Sequence, residues 1–140
     1  MKFYFSSFNA ETGKSEVIFK HGNKTYIGTA QAAKEDMPHL SKFLGCGLAE
    51  RRAWIKYFID ERRKYKYMLK AIQHLNKDIK YVCKEIDPKI QRRINLHLRD
   101  YSTQITILSE NIALLKKMNK EDFKIRDELF KKTRTKENKE

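Results

Sequence analysis

The sequence predicts an α+β fold. It reads as an N-terminal three-stranded antiparallel β-meander, then a long antiparallel α-helical hairpin and a short C-terminal helix. Three observations carry that expectation. From Leu48 to Ile86 the apolar residues Leu48, Ile55, Phe58, Tyr65, Leu69, Ile72, Ile79, Cys83 and Ile86 fall on one helical repeat. After Asp87-Pro88 the repeat restarts at Ile94 and runs through Leu98, Tyr101, Ile105, Leu108, Ile112 and Leu115 to Met118. Residues 2–32 instead alternate apolar and polar, with glycine turns between the runs. Two amphipathic helices with almost no loop between them fold back on each other.

The elements follow in order. Lys2 to Phe8 is aromatic-rich and strand-like, and Glu11-Thr12-Gly13-Lys14 is a turn in which Gly13 is free to take positive φ. Ser15 to Lys20 is a second strand, His21 to Lys24 a second turn, and Thr25 to Ala30 a third strand. A sheet this small is marginal alone and must bury a face on the helices or on a second subunit. Residues 33–47 read as a connector. Met37 to Leu44 forms a short helix there, and Gly45-Cys46-Gly47 breaks it. The first long helix is expected from Leu48 to about Glu85, roughly 55 Å at the standard rise. Asp87 suits an N-cap and Pro88 the first helical position of the second, which runs to about Met118, roughly 45 Å. Asn119 then caps a short helix from Lys120 to Lys132, with Phe123, Leu129 and Phe130 as its apolar contacts, and residues 133–140 form a flexible tail. All of this is expected to be a single domain. The helices outrun what a thirty-residue meander covers, so self-association is expected.

Composition narrows the function. The chain has 140 residues, with 31 Lys+Arg against 18 Asp+Glu and a formal net charge of +13. That balance favours anionic partners: nucleotides, phosphates, nucleic acids or acidic surfaces. Cys46 and Cys83 form no CxxC and read as reduced thiols, which suits a cytoplasmic setting. Neither a signal peptide nor a membrane span is expected. The four histidines are dispersed, and the glycines make neither a P-loop nor a dinucleotide fingerprint. The expectation is a binding protein and not an enzyme, with no metal and no cofactor.

The informative anomalies are polar. Arg51, Arg62 and Asn76 stand where the hairpin seam expects apolar residues. They fix register, mark a solvent-exposed end of the seam, or wall a cationic cavity between the helices that receives an anion. Arg51 and Arg52 lie beside Trp54, Tyr57 and Phe58, a mixture able to hold phosphate and stack a base. Arg92 and Asn95, three apart, share a helix face and could hold a phosphate and a base edge or ribose hydroxyl. The plain alternative for both clusters is a solvated basic face with the aromatics in the core. The run Glu61 to Tyr67 could also clamp duplex phosphates, although its charges circle the helix.

Two stretches carry a resemblance. They are Phe5-Ser6-Ser7-Phe8-Asn9-Ala10-Glu11-Thr12-Gly13 and Gly45-Cys46-Gly47-Leu48-Ala49-Glu50-Arg51-Arg52-Ala53-Trp54-Ile55-Lys56, joined in the second half by Arg92-Arg93-Ile94-Asn95. Through them the chain resembles small phage and prophage proteins of Gram-positive bacteria, and among these the Thoeris anti-defence protein 1 family. That resemblance implies a non-catalytic sponge acting in the cytoplasm of an infected bacterial cell. It implies a homo-oligomer, dimer or hexamer, whose subunit interfaces hold cyclic ADP-ribose isomers, with cyclic oligonucleotides in some members. On this expectation Arg51, Arg52, Arg92 and Asn95 hold polar groups of the ligand, and Phe58 or Tyr101 packs on the adenine. The alternatives are a basic phage nucleic-acid-binding accessory protein and a protein-binding inhibitor of a host factor.

Overall fold

In the computed structural model the described residues are 3–32, 42–83 and 85–139. The fold is α+β: strands β1 (Phe3–Asn9), β2 (Lys14–His21) and β3 (Lys24–Gln31), then helices α1 (Lys42–Val82) and α2 (Pro88–Lys139). The strands form an antiparallel meander in the order β1-β2-β3, and the helices form a hairpin. The chain divides into two compact units, Met1–Tyr57 with Ala113–Glu140, and Phe58–Ile112.

In the first unit the turns follow local chemistry. Asn9 folds its side chain back, and its Oδ1 accepts from the N–H groups of Glu11 at 2.9 Å and Thr12 at 3.2 Å. Gly13 and Gly22 take φ of 71° and 62°, the left-handed region that only glycine enters freely. The register pairs Ser15 with Ala30, Val17 with Gly28 and Phe19 with Tyr26. These residues are all buried on the same face of the sheet. That face packs on Ala49 and Ala53 of α1, both fully buried, with Leu48, Trp54 and Tyr57 around them. The Phe19 ring lies 5.1 Å from Trp54, 5.4 Å from Tyr26 and 5.9 Å from Tyr57, centroid to centroid.

The opposite face carries one apolar row. Phe5 pairs with Ile18 and Ile18 with Ile27, so the three lie side by side across the strands. Phe5 and Ile27 are exposed.

In the two edge strands, β1 and β3, the backbone has a definite inner and outer side. His21 and Lys24 close the two-residue turn, and the Ala32 N–H donates to the Gly13 carbonyl at 3.1 Å. Hydrogen-bonded pairs therefore recur at every second residue from His21–Lys24. On β3 this directs the backbone groups of Thr25, Ile27, Thr29 and Gln31 away from β2. On β1 it directs those of Tyr4, Ser6 and Phe8 outward.

Three expectations are corrected. Gly45-Cys46-Gly47 does not break the chain before the first long helix, since α1 already begins at Lys42. Gly45 is there for closeness: a Cβ on it would stand 2.5 Å from the Ser15 Oγ. Asn119 does not start a third helix. α2 passes through it without interruption, because no Gly or Pro intervenes and the Asn119 side chain is engaged by α1. The tail expected from Thr133 is helical through Lys139. The short helix expected within 37–44 falls largely outside the described residues, and the side chains of Leu129 and Phe130 are likewise not described.

At the tip of the hairpin the expected cap is present. The Lys89 N–H donates to Asp87 Oδ1 at 2.9 Å, with Pro88 opening α2. Among the described residues no helix is long and apolar enough to cross a membrane.

Candidate functional site

The three polar residues of the seam each meet a partner on the returning helix. In the first unit the Arg51 Nε donates to Asn119 Oδ1 at 2.6 Å, and its Nη2 pairs with the Asp122 carboxylate. In the second unit Arg62 Nη1 donates to Ser109 Oγ at 3.3 Å. The Gln91 amide reaches Asn76 Oδ1 at 3.5 Å, the outer limit of a hydrogen bond. As the α1 position rises its α2 partner falls, which is the order of an antiparallel pair. Polar groups matched across a seam penalise a slipped alignment, because a slip leaves them buried and unpaired.

Burial pushes the Arg51 guanidinium below its ordinary pKa, and neighbouring Glu50 opposes this. The side chains of Arg51 and Asp122 are only 16% and 27% exposed, so the charges meet with little solvent screening. Replacing Asp122 with Asn is expected to cost about 1–3 kcal/mol, since Arg51 loses its charged partner while remaining half-buried. A double-mutant cycle of Arg51→Met and Asp122→Asn, read by urea unfolding, checks it. The coupling should be about 1 kcal/mol or more.

Arg52 has a different task. Its Nη1 donates to the Thr29 carbonyl at 2.7 Å, and Lys56, one turn later, donates to the Ile27 carbonyl at 2.7 Å. Both acceptors lie on the outward edge of β3. Two cations of α1 thus cover the backbone that a further strand would need. The remaining aromatic neighbours, Trp54 and Tyr57, belong to the core around Phe19.

The other four candidate residues lie in the second unit. Phe58 and Tyr101 are half-buried, while Arg92 and Asn95 are exposed. Tyr101 stacks on His97 at 5.7 Å and lies 6.0 Å from Tyr65. Asn95 Oδ1 accepts from Gln91 Nε2 at 2.9 Å, leaving its amide N–H groups as donors. The six candidates are therefore split two and four between the units, and Arg51 and Arg52 already hold partners within the fold.

The second unit also carries an open surface patch on α1, formed by Asp60, Arg63, Lys64, Tyr67 and Met68. These positions are three, four, seven and eight residues after Asp60, one helix face. Lys64 also pairs with Glu61 at 3.0 Å. The sequence marks this run as basic, but charge alone does not separate Arg63, Lys64 and Tyr67 from neighbours on the other faces. Among the described residues no group of three His, Cys, Asp or Glu side chains is placed to hold a metal ion.

Comparison with known proteins adds no relative: no family model matches the chain, and neither the curated proteins nor the solved structures contain a match.

Proposed function

We propose that the protein binds a cyclic nucleotide-type immune signal, an isomer of cyclic ADP-ribose, and sequesters it intact as a phage anti-defence sponge. The observation that carries this reading is the open patch on one face of α1 in the second unit, where Arg63 and Lys64 stand beside the exposed Tyr67 ring. A diphosphate asks for cations and a base asks for a flat apolar face, and this surface offers both. Arg92 and Asn95 present a second basic and hydrogen-bonding face in the same unit. A sponge turns nothing over, so it works by affinity and slow release. Self-association belongs to this reading, supported by large apolar side chains left in solvent, among them Tyr81 at 92% and Val82 at 78% exposure.

Calorimetry with cyclic ADP-ribose isomers tests it. Saturable binding at micromolar concentration is expected, with the ligand recovered unchanged by mass spectrometry. Arg63→Gln or Arg92→Gln should weaken it by roughly tenfold, the loss of one charge-assisted hydrogen bond. Absence of heat at micromolar concentration overturns the proposal.

The +13 charge favours one alternative, a basic nucleic-acid-binding accessory protein. Gel shifts across salt separate the two. Duplex binding that collapses steeply with salt, without any response to the cyclic nucleotide, is the signature of the alternative.

A further inference from the structure

The two edges of the sheet are treated differently. On β3 the outward carbonyls of Ile27 and Thr29 are taken by Lys56 and Arg52. On β1, among the described residues, no side chain hydrogen-bonds the outward backbone of Ser6 or Phe8, and Ser6 is exposed. Proteins ordinarily guard an open edge with a charged side chain, a proline or a bulge. β1 has none of these. From Phe3 to Asn9 it contains no charged residue and no proline, and its pairing with β2 is unbroken over all seven residues. Among the described residues, then, this edge carries no such guard, and an edge of this kind is a template for another strand.

We infer that the open edge of β1 pairs antiparallel with β1 of a second copy, centred on Ser6, joining two three-stranded sheets into one of six strands. Centring the pair on Ser6 engages all three outward residues, the greatest overlap this edge allows. Ser6 must exchange hydrogen bonds with Ser6 of the second copy, and Tyr4 must do so with Phe8. Phe5 then stands opposite Ser7 of the second copy, a large residue against a small one.

The exposed face of the sheet supports the same occupant. Phe5, Ile18 and Ile27 form an apolar row ending at the β1 edge. In the proposed register Phe5 lies diagonal to Phe5 of the second copy, within reach of an aromatic side chain. The two rows become one continuous band. Charge does not oppose the approach at the edge itself. Around its middle, Lys14, Glu16 and Lys20 stand one strand back, on β2. This deepens the self-association in the proposed function by naming its surface, and it is independent of the ligand.

Sedimentation velocity of the full chain at micromolar concentration tests the inference, with two variants at the centre of the edge. Ser6→Pro removes an N–H that points away from β2, so the meander keeps its own ladder while each copy loses an inter-subunit hydrogen bond. The dimer dissociation constant should rise by roughly tenfold or more. Ser6→Lys sets two like charges face to face, so it should dissociate the dimer at low salt and recover partly at high salt. Circular dichroism shows whether each variant is folded, and if Ser6→Pro is not, Ser6→Lys decides alone. A monomeric wild type overturns both the edge pairing and the self-association. A wild-type dimer that survives unchanged in the folded variants overturns the edge pairing only.

Discussion

Gly28→Val is expected to abolish the folded first unit, and Gly28→Ala to cost about 3 kcal/mol or more. Gly28 sits in the middle of β3 on the face packed against α1. A Cβ built there overlaps the Ala49 carbonyl oxygen and stands 2.5 Å from the Ala53 nitrogen. Those two atoms lie four residues apart on the helix, the spacing of one backbone hydrogen bond. A side chain at position 28 would therefore press on helix backbone, which has no rotamer to yield. Overpacking usually costs about 1–3 kcal/mol, and the rigidity of the obstacle places this case at the top of that range or beyond. Gly22→Ala is the control. Its Cβ meets nothing within 4 Å, so only the positive φ opposes it, about 1 kcal/mol. Urea unfolding of both variants should separate them clearly. Equal midpoints would mean that the helix does not rest on β3 at this point.

Phe19→Ala should be nearly as damaging, losing about 3–5 kcal/mol. Phe19 is 1% exposed and, among the described residues, is the largest fully buried side chain. Its ring is shared by β3 through Tyr26 and by α1 through Trp54 and Tyr57. Deleting it removes the common partner of three aromatics, and rigid rings cannot flow into the void. Phe19→Leu fills most of the space and should recover about half of the loss. Thermal unfolding followed by Trp54 fluorescence reads both, since the indole sits against the deleted ring. An unshifted transition in Phe19→Ala would mean that the sheet contributes little to the stability of the unit.

Wherever the decisive interaction is local, the sequence is legible. Asp87-Pro88 reads as a cap and a first helical position, and that is what the Lys89 N–H finds. Gly13 and Gly22 read as turn glycines and take positive φ. The expectations that fail turn on partners distant in sequence. Gly45 resembles a helix breaker until Ser15, thirty positions earlier, is seen to need its missing side chain. Asn119 resembles a cap until Arg51 claims its oxygen. The candidate site shows the same division. The sequence picks out Arg51 and Arg52 by residue type and by their aromatic neighbours. It does not reveal that one joins α1 to α2 and the other joins α1 to a sheet edge. The polar character of Arg62 and Asn76 is evident in the seam, whereas Ser109 and Gln91 carry no mark of being their partners. Arg63, Lys64 and Tyr67 do share one helix face by their spacing, but nothing in the residue types separates that face from the other basic faces of α1.

The cover that Arg52 and Lys56 place on β3 has a consequence for stoichiometry. A strand-forming protein with two receptive edges grows without limit, each addition recreating the end it consumed. On the proposed pairing, with β3 stoppered, addition through β1 is a terminal event: the first encounter consumes the open edge of each partner and leaves the covered edges outside. On that proposed pairing, assembly through this sheet ends at two copies. Removing the stopper, as in Arg52→Ala combined with Lys56→Ala, turns a closed pair into a potential filament.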